Sequence, residues 1–245
     1  VAGVKPMPNS LLLARCLTSR QCYHRTRFSQ QTQVRRCSFA FNYTDGPVTH
    51  TIGSPVQFRL RIHDAIARSL RVNADESGTL VEILRTDWPD IYDAKSRPFA
   101  QTYYSATPAG LARDEDVWHV HRSQEDRFVV AAGSIVLALW DGRPCSPTQG
   151  TLDLLPLGEW AGHGTQYAVM IPRQVHHGFM VTGTETAILL NSPTHLYDPS
   201  DEGRVPFTEV HAAFDDGQIF SWQSVRTRLA EQPDAMRVTK SCQDV

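Results

Sequence analysis

Short apolar runs separated by Gly, Pro, Asp and Ser dominate the chain from residue 73 onward. Runs of this length, divided by turn-forming residues, are typical of β-strands. Eight or nine such strands in succession predict an all-β sandwich or barrel. The candidate strands are 80–84, 99–104, 117–121, 128–132, 135–140, 151–155, 167–171, 178–181 and 187–191.

Helical spacing is confined to two places. A helix is predicted at 222–229, and another over 62–71, where apolar residues recur three or four positions apart. The apolar residues of the earlier helix are Ile62, Ala65, Ile66 and Leu70. These patterns predict four parts: a basic arm (1–44), a bridge with a short helix (45–72), a barrel (73–230) and a C-terminal tail (231–245).

Charge is distributed unevenly along the chain. Residues 1–44 contain no Asp or Glu, whereas residues 45–245 carry 17 basic and 26 acidic side chains. Because an Arg-rich, Ser-rich and acid-free segment is typical of organelle targeting, we expect an organellar protein, with the mitochondrion favoured over the plastid. Such an arm also suits contact with RNA phosphates or with an acidic protein surface. Its basic residues are Lys5, Arg15, Arg20, Arg25, Arg27, Arg35 and Arg36.

The overall composition excludes several classes of protein. With 41% hydrophobic and 20% charged residues and a mean hydropathy of −0.33, the chain is not expected to be disordered throughout or to span a membrane. The longest aliphatic run, at 11–14, is too short to cross a bilayer. Five cysteines, an odd number without the spacing of a disulfide scaffold, are expected to be reduced.

Two histidine motifs carry the candidate chemistry. His119 and His121 are two residues apart on a predicted strand, so both imidazoles point to one face. Buried imidazoles need polar partners, and the pair therefore predicts a polar pocket. A third histidine, His177, follows Pro172 by five residues. A divalent metal could be held by this set, and the candidate ligands are His119, His121, Asp126 (or its neighbour Glu125) and His177.

The spacing of these motifs resembles the cupin superfamily. Longer segments carry a closer resemblance, and they lie at 77–85, 99–105, 133–143, 146–148, 171–172, 177–179 and 197–199. These segments are similar to the dTDP-4-dehydrorhamnose 3,5-epimerase family. The resemblance covers about residues 73–225. It implies a cupin-type double-stranded β-helix or jelly-roll barrel, usually a homodimer, without a metal cofactor. It also implies proton transfer at carbons that flank the ketone of a nucleotide sugar.

The resemblance implies roles for individual residues. His119 stands where the family has its catalytic base, and Glu209 lies near the position of the carboxylate that orients this base. His177 occupies the position of a second active-site histidine. The substrate-binding residues expected on this basis are His177, Arg127, Asn191 and Gln101.

At three positions the chain departs from the family pattern. Asp116 and Asp126 replace cationic residues, and Asn191 stands where the family has its proton-donating Tyr. An amide cannot supply a proton, and carboxylates repel a pyrophosphate, so these departures predict altered chemistry. Three alternatives stay open. They are a divergent isomerase or epimerase, a metal-dependent cupin enzyme, and a non-catalytic subunit of an organellar assembly such as a ribosome or respiratory complex.

Overall fold

The computed structural model describes residues 57–158 and 166–231. Within these ranges it contains fourteen strands, a 3-10 helix at Phe207–Glu209 and one α-helix, α1, at Trp222–Glu231. The strands are β1 (Gln57–Arg59), β2 (Ile66–Leu70), β3 (Val72–Asp75), β4 (Gly78–Val81), β5 (Tyr103–Thr107), β6 (Ala112–Arg113), β7 (Val117–His121), β8 (Asp126–Ala132), β9 (Ser134–Trp140), β10 (Leu152–Gly158), β11 (Gln166–Ile171), β12 (His176–Val181), β13 (Ala187–Asn191) and β14 (Glu202–Pro206).

Two antiparallel sheets form the barrel. The first sheet has the strand order β1-β2-β11-β8-β13-β5. The second sheet has the order β10-β9-β12-β7-β14, and the short β6 also pairs with β12. A separate hairpin is made by β3 and β4. The many crossovers between non-consecutive strands are those of a jelly roll, so the predicted all-β class is confirmed.

The pleat of each strand sorts its apolar side chains into an inner and an outer set. In β9, Ile135, Leu137 and Leu139 belong to the core between the two sheets. The alternate residues Val136 and Ala138 pack instead in a cluster that includes residues of α1. The helix therefore covers the outer face of the second sheet, while the inner face remains part of the barrel interior.

Most of the predicted strands are present. The strands predicted at 117–121 and 187–191 have the expected bounds, and the helix predicted at 222–229 lies within α1. The strand predicted at 99–104 begins later, at Tyr103. Five strands were not predicted from the sequence: β1, β2, β3, β6 and β14.

The helix predicted over 62–71 is wrong. Ile66–Leu70 form strand β2, which pairs with β1 on one side and β11 on the other. The apparent helical spacing has a different origin. Ile62 and Ala65 are close because a turn joins them, in which the amide of Ala65 donates to the carbonyl of Ile62 and Asp64 has a positive φ of 66°. The barrel thus begins before residue 73.

Several predictions fall outside the described residues. They concern the basic arm at 1–44 and residues 232–245 of the tail predicted at 231–245, and with them the organellar location and the RNA or protein contacts of the arm. In the part of the chain that the structure describes, no helix has the length and apolar character needed to cross a membrane.

Gly133 occupies a position that no other residue fits. It lies in the turn between β8 and β9 with a φ of 72°, in the left-handed region. A Cβ atom there would lie 2.9 Å from the Cα of Ala187 and 3.0 Å from the carbonyl oxygen of Thr186, both backbone atoms. Two separate costs, conformational and steric, therefore oppose any side chain at this position.

We expect Gly133→Ala to lower the free energy of unfolding by about 2 kcal/mol or more, because it adds both costs. Gly110→Ala is the matched control. Gly110 has a similar φ of 75°, but a Cβ there meets no atom within 4 Å, so only the conformational cost of about 1 kcal/mol applies. Urea unfolding followed by circular dichroism measures both variants. Equal losses would contradict the steric part of the argument.

Candidate active site

Three histidines lie on the inner face of the second sheet. The pleat that directs Trp118 outward, toward the cluster under α1, directs His119 and His121 inward. His177 of β12 is the direct cross-strand neighbour of His119. Its ring centroid lies 6.1 Å from that of His119 and 5.7 Å from that of His121. The three imidazoles form one side of the site, the histidine wall.

The first sheet supplies the opposite side of the site. Asp126 of β8 and Asn191 of β13 alternate with inner core residues of the same strands, so they point into the barrel. Tyr103 of β5 is paired in register with Asn191, and the two side chains therefore share a face. A carboxylate, an amide and a phenol, those of Asp126, Asn191 and Tyr103, form this facing wall.

Asp126 joins the two walls. Its side chain is 2% exposed, and Oδ2 lies 3.3 Å from His177 Nε2 and 3.5 Å from His121 Nε2. Oδ1 accepts hydrogen bonds of 2.8 Å from Gln124 Nε2 and from Asn191 Nδ2. Burial by itself would raise the pKa of this carboxyl. The imidazole and amide contacts outweigh burial and hold the pKa of Asp126 below its ordinary value, so the group is a carboxylate at neutral pH.

His119 has a carboxylate at each ring nitrogen. Its Nε2 is hydrogen-bonded to Asp114 Oδ2, and its Nδ1 lies 3.4 Å from Glu202 Oε1. Burial, followed by the charge of His177, lowers the pKa of His119 below its ordinary value, and the contact with Asp114 offsets this only in part. An imidazole that is neutral at physiological pH and is oriented by a carboxylate has the properties of a general base.

The position of Asp114 depends on α1. The residue has a φ of 62°, in the left-handed region that Asp tolerates better than most residues. Trp222, the first residue of α1, donates from Nε1 to the carbonyl of Asp114 at 3.2 Å. Arg204 Nη1 donates to the Asp114 carboxylate at 3.1 Å, and Arg204 Nε donates to Glu202 at the same distance. The helix and Arg204 therefore fix both carboxylates that contact His119.

The predicted carboxylate partner of His119 is replaced by another. Glu209 is exposed in the 3-10 helix, and in the described residues the carboxylates in contact with His119 are Asp114 and Glu202. The register of β14 explains this. β14 runs antiparallel to β7, and Arg204 is the residue opposite His119. Glu209 comes five residues later in the chain, beyond the first residue of β7, and therefore lies away from His119.

Arg127 does not face the site, which contradicts its predicted role in substrate binding. It follows Asp126 in β8 and points to the other face of the sheet, where it is 2% exposed. Among the described residues, the acceptors of its guanidinium are backbone carbonyls, and these bonds fix the segment before β5 and the residue after β13. The carbonyls belong to Ile91, Arg97, Pro98 and Ser192.

The remaining predicted residues have separate places. Asn191 and His177 lie in the site, on opposite walls. Gln101 instead donates from Nε2 to the carbonyl of His195 at 3.3 Å. Glu125, the alternative to Asp126 as a metal ligand, accepts a hydrogen bond of 3.2 Å from Arg97. Of these two neighbouring acids, the structure therefore brings Asp126 to the histidines.

Three of the four predicted metal ligands could hold an ion. The ligand atoms of His121, Asp126 and His177 lie within 4.8 Å of one another. His177 Nδ1 donates to the carbonyl of Val175 at 3.1 Å, which directs Nε2 toward Asp126. His119 is separate, because its nitrogens face Asp114 and Glu202. The Asp126 carboxylate also has imidazole contacts of 3.3 and 3.5 Å without an ion, so the geometry fits a site with or without a metal.

Sequence reasoning missed Asp114, Glu202 and Tyr103. Asp114 comes from a turn, Glu202 from an unpredicted strand, and Tyr103 enters the site only through its register with Asn191. The alternation of Tyr103 with Ser105 and Thr107 in β5 was a usable signal, because it predicts one face with hydrogen-bonding groups.

Comparison with known proteins agrees with this architecture. The family model described as dTDP-4-dehydrorhamnose 3,5-epimerase matches residues 59–228. The chain is 42% identical over 149 residues to Agl13 of Haloferax volcanii, described as a probable low-salt glycan biosynthesis epimerase, and the match covers 60% of this chain and 88% of the relative. It is 26% identical over 149 residues to the spore coat polysaccharide biosynthesis protein SpsL of Bacillus subtilis, a match covering 60% of this chain and 91% of SpsL.

Among solved structures, a dTDP sugar isomerase from Desulfovibrio desulfuricans superimposes with a TM-score of 0.56 and 27% sequence identity. The match covers 68% of this chain and 95% of that structure. The family model covers the barrel described above from the last residue of β1 into α1, and it includes both walls of the site. The chain therefore belongs to the dTDP-4-dehydrorhamnose 3,5-epimerase family.

Proposed function

We propose that this protein is an isomerase or epimerase that removes and returns a proton at a carbon next to the ketone of a keto-sugar, with His119 as the base. The observation that carries the proposal is the His119 imidazole, which is held by Asp114 inside the barrel and faces a wall of polar groups. Membership of the family and the 42% identity to a protein described as an epimerase support the same class of reaction.

The geometry supports a specific sequence of events at His119. Asp114 accepts a hydrogen bond from the protonated Nε2 of His119. The lone pair of Nδ1 is therefore available to take a proton from the sugar carbon. The electron pair of the broken C–H bond moves toward the ketone and forms an enolate. Glu202, 3.4 Å from Nδ1, then stabilises the proton that His119 has gained.

The charges around the site restrict how a substrate can bind. Asp114, Asp126 and Glu202 repel a pyrophosphate, so we propose that only the sugar ring enters the barrel. Arg204 contacts two of these carboxylates, and its side chain is 57% exposed. It therefore lies where a cation could meet the phosphates of a nucleotide that stays at the mouth of the site.

A homodimer remains a prediction from the family resemblance. Phe99, in the segment before the terminal strand β5 of the first sheet, is 53% exposed. Apolar surface of this kind is compatible with contact between two copies.

We expect His119→Gln to abolish proton exchange, because glutamine cannot take up a proton. The measurement is deuterium incorporation from D₂O into dTDP-4-keto-6-deoxyglucose, followed by NMR, and the rate should fall about 100-fold or more. His63→Gln is the control, since His63 also pairs with an aspartate, Asp64 at 3.0 Å, but lies on the surface. An undiminished rate in His119→Gln would show that the base lies elsewhere.

We expect kcat/KM to have an acidic limb below pH 6.5. His119 must be neutral to act as a base, and burial lowers its pKa. The protein should therefore be fully active at neutral pH and lose activity as the pH falls through the lowered pKa of His119. Asp114→Asn removes a contact that raises this pKa, and the limb should therefore move to still lower pH. Glu115→Gln, which breaks a surface ion pair with Arg226, should leave the limb in place. A limb unaffected by Asp114→Asn would argue against Asp114 as the partner of His119.

We expect treatment with EDTA to leave deuterium exchange unchanged, because proton transfer at His119 needs no ion. The protein is dialysed against the chelator and assayed with and without added Zn²⁺ or Mn²⁺. Loss of exchange on dialysis, with recovery on adding one of these ions, would instead favour the metal-dependent alternative at His121, Asp126 and His177.

A further inference from the structure

Inversion at a carbon needs two groups, because the proton that leaves from one face must be replaced from the other. His119 provides for the first transfer. The replacement must come from the facing wall, where the structure offers the side chains of Asp126, Asn191 and Tyr103. Asp126 is a carboxylate that already accepts two amide hydrogen bonds, and the amide of Asn191 has no acidic proton. Of the three, the phenol of Tyr103 is the group with a proton to give.

The orientation of the Asn191 amide is determined by its neighbours. Its Oδ1 accepts a hydrogen bond of 3.1 Å from the backbone amide of Arg127. Its Nδ2 consequently faces Asp126 Oδ1 and Tyr103 Oη, at 2.8 Å each, and donates to both. If the amide were turned over, its oxygen would face the Asp126 carboxylate, which can only accept hydrogen bonds.

The role of Tyr103 follows from this orientation. Because Asn191 donates to it, the Tyr103 oxygen is the acceptor in that contact, and the phenolic hydrogen is not used there. Within residues 57–158 and 166–231, no acceptor is bonded to that hydrogen. A phenol is protonated at neutral pH, since its ordinary pKa is about 10. Tyr103 therefore presents an available proton next to an amide that can stabilise the phenolate left behind.

The position of Tyr103 also allows water to return a proton to its phenol. The residue is 47% exposed, although its hydroxyl contacts the buried Asn191. Water can therefore reach the edge of the phenol between turnovers. His119 and Tyr103 are on different sheets, so a sugar ring bound between the walls would meet the base on one face and the phenol on the other.

We propose that Tyr103 is the general acid that protonates the enolate carbon on the face opposite His119, with Asn191 as the residue that positions it. The inference rests on the function proposed above. His119 takes the proton from carbon and the electron pair moves to the ketone oxygen. The enolate electrons then form a new C–H bond with the Tyr103 proton, which leaves a phenolate that accepts from Asn191 Nδ2. Water reprotonates the phenolate, and His119 releases its proton to water, so protons and electrons balance.

The test separates proton removal from inversion. Wild-type and variant proteins are incubated in D₂O with dTDP-4-keto-6-deoxyglucose, and NMR follows both deuterium in the starting sugar and the appearance of the inverted sugar. In Tyr103→Phe, we expect deuterium still to enter the starting sugar, because His119 can return a solvent-derived proton to the same face. Formation of the inverted sugar should fall about 100-fold or more.

Tyr104→Phe is the matched control. Tyr104 is the next residue on β5, points to the other face and is 68% exposed, so both rates should equal those of the wild type. Near- and far-ultraviolet circular dichroism and the Tm establish that each variant is folded. A purely structural effect of Tyr103→Phe would lower exchange and inversion together, and that result would overturn the proposal.

Two further outcomes are distinguishable. Inversion by Tyr103→Phe at the wild-type rate would overturn the role of Tyr103 and leave the proposed function intact. Absence of both exchange and inversion in the wild-type protein would overturn the proposed function, and the role of Tyr103 with it.

Discussion

The contact between Asp126 and His177 joins the two sheets at the level of the site. One residue comes from β8 and the other from β12, so the carboxylate and the imidazole meet across the interior of the barrel. A buried charge is tolerated only if it is surrounded by partners, and Asp126 has amide donors at one oxygen and imidazoles at the other. Through Asn191, the same carboxylate also fixes the neighbour of Tyr103. The two walls therefore keep their positions through a single ionised group.

Because side chains alternate along β8, a residue of the site and a residue that supports the sheet lie on opposite faces of the same strand. Asp126 and Arg127 are adjacent, oppositely charged and equally buried, yet they face different sides of the first sheet. The Asp126 carboxylate faces the barrel interior, whereas the Arg127 guanidinium donates to backbone carbonyls before β5 and after β13. Those carbonyls flank the strands that carry Tyr103 and Asn191. The Arg127 guanidinium thus supports the facing wall from the opposite face of the sheet.

Much of the barrel could be predicted from the sequence, because local alternation of apolar residues is sufficient to identify a strand such as β7. The same rule placed His119 and His121 on one face. It failed at Ile62 and Ala65, where a turn mimics helical spacing, since a period of three or four residues does not distinguish the two. The partner of His119 could not be predicted either. Asp114 reaches the imidazole from a left-handed turn, and contacts with α1 and Arg204, both distant in the chain, hold it there.

Family patterns have a related limit. They compare residues at one position of the chain, whereas chemistry depends on atoms that meet in space. The sequence predicts that Asn191 stands where the family has a Tyr, but its cross-strand neighbour Tyr103 brings a phenol to the same face of the sheet. A departure at a single position is therefore weak evidence for lost activity until the adjacent strand has been considered.

The hydrogen bond from Trp222 to the turn at Asp114 has a consequence for how the protein matures. Helix α1 follows the fourteen described strands in chain order, so the ribosome makes it after them. A nascent chain that ends before α1 could pair its strands, but it would lack the Trp222 donor to Asp114 and would leave the outer face of the second sheet uncovered. Of the contacts that hold Asp114 beside His119, the one from α1 is thus made last, and a truncated chain would hold Asp114 through Arg204 alone of these two donors.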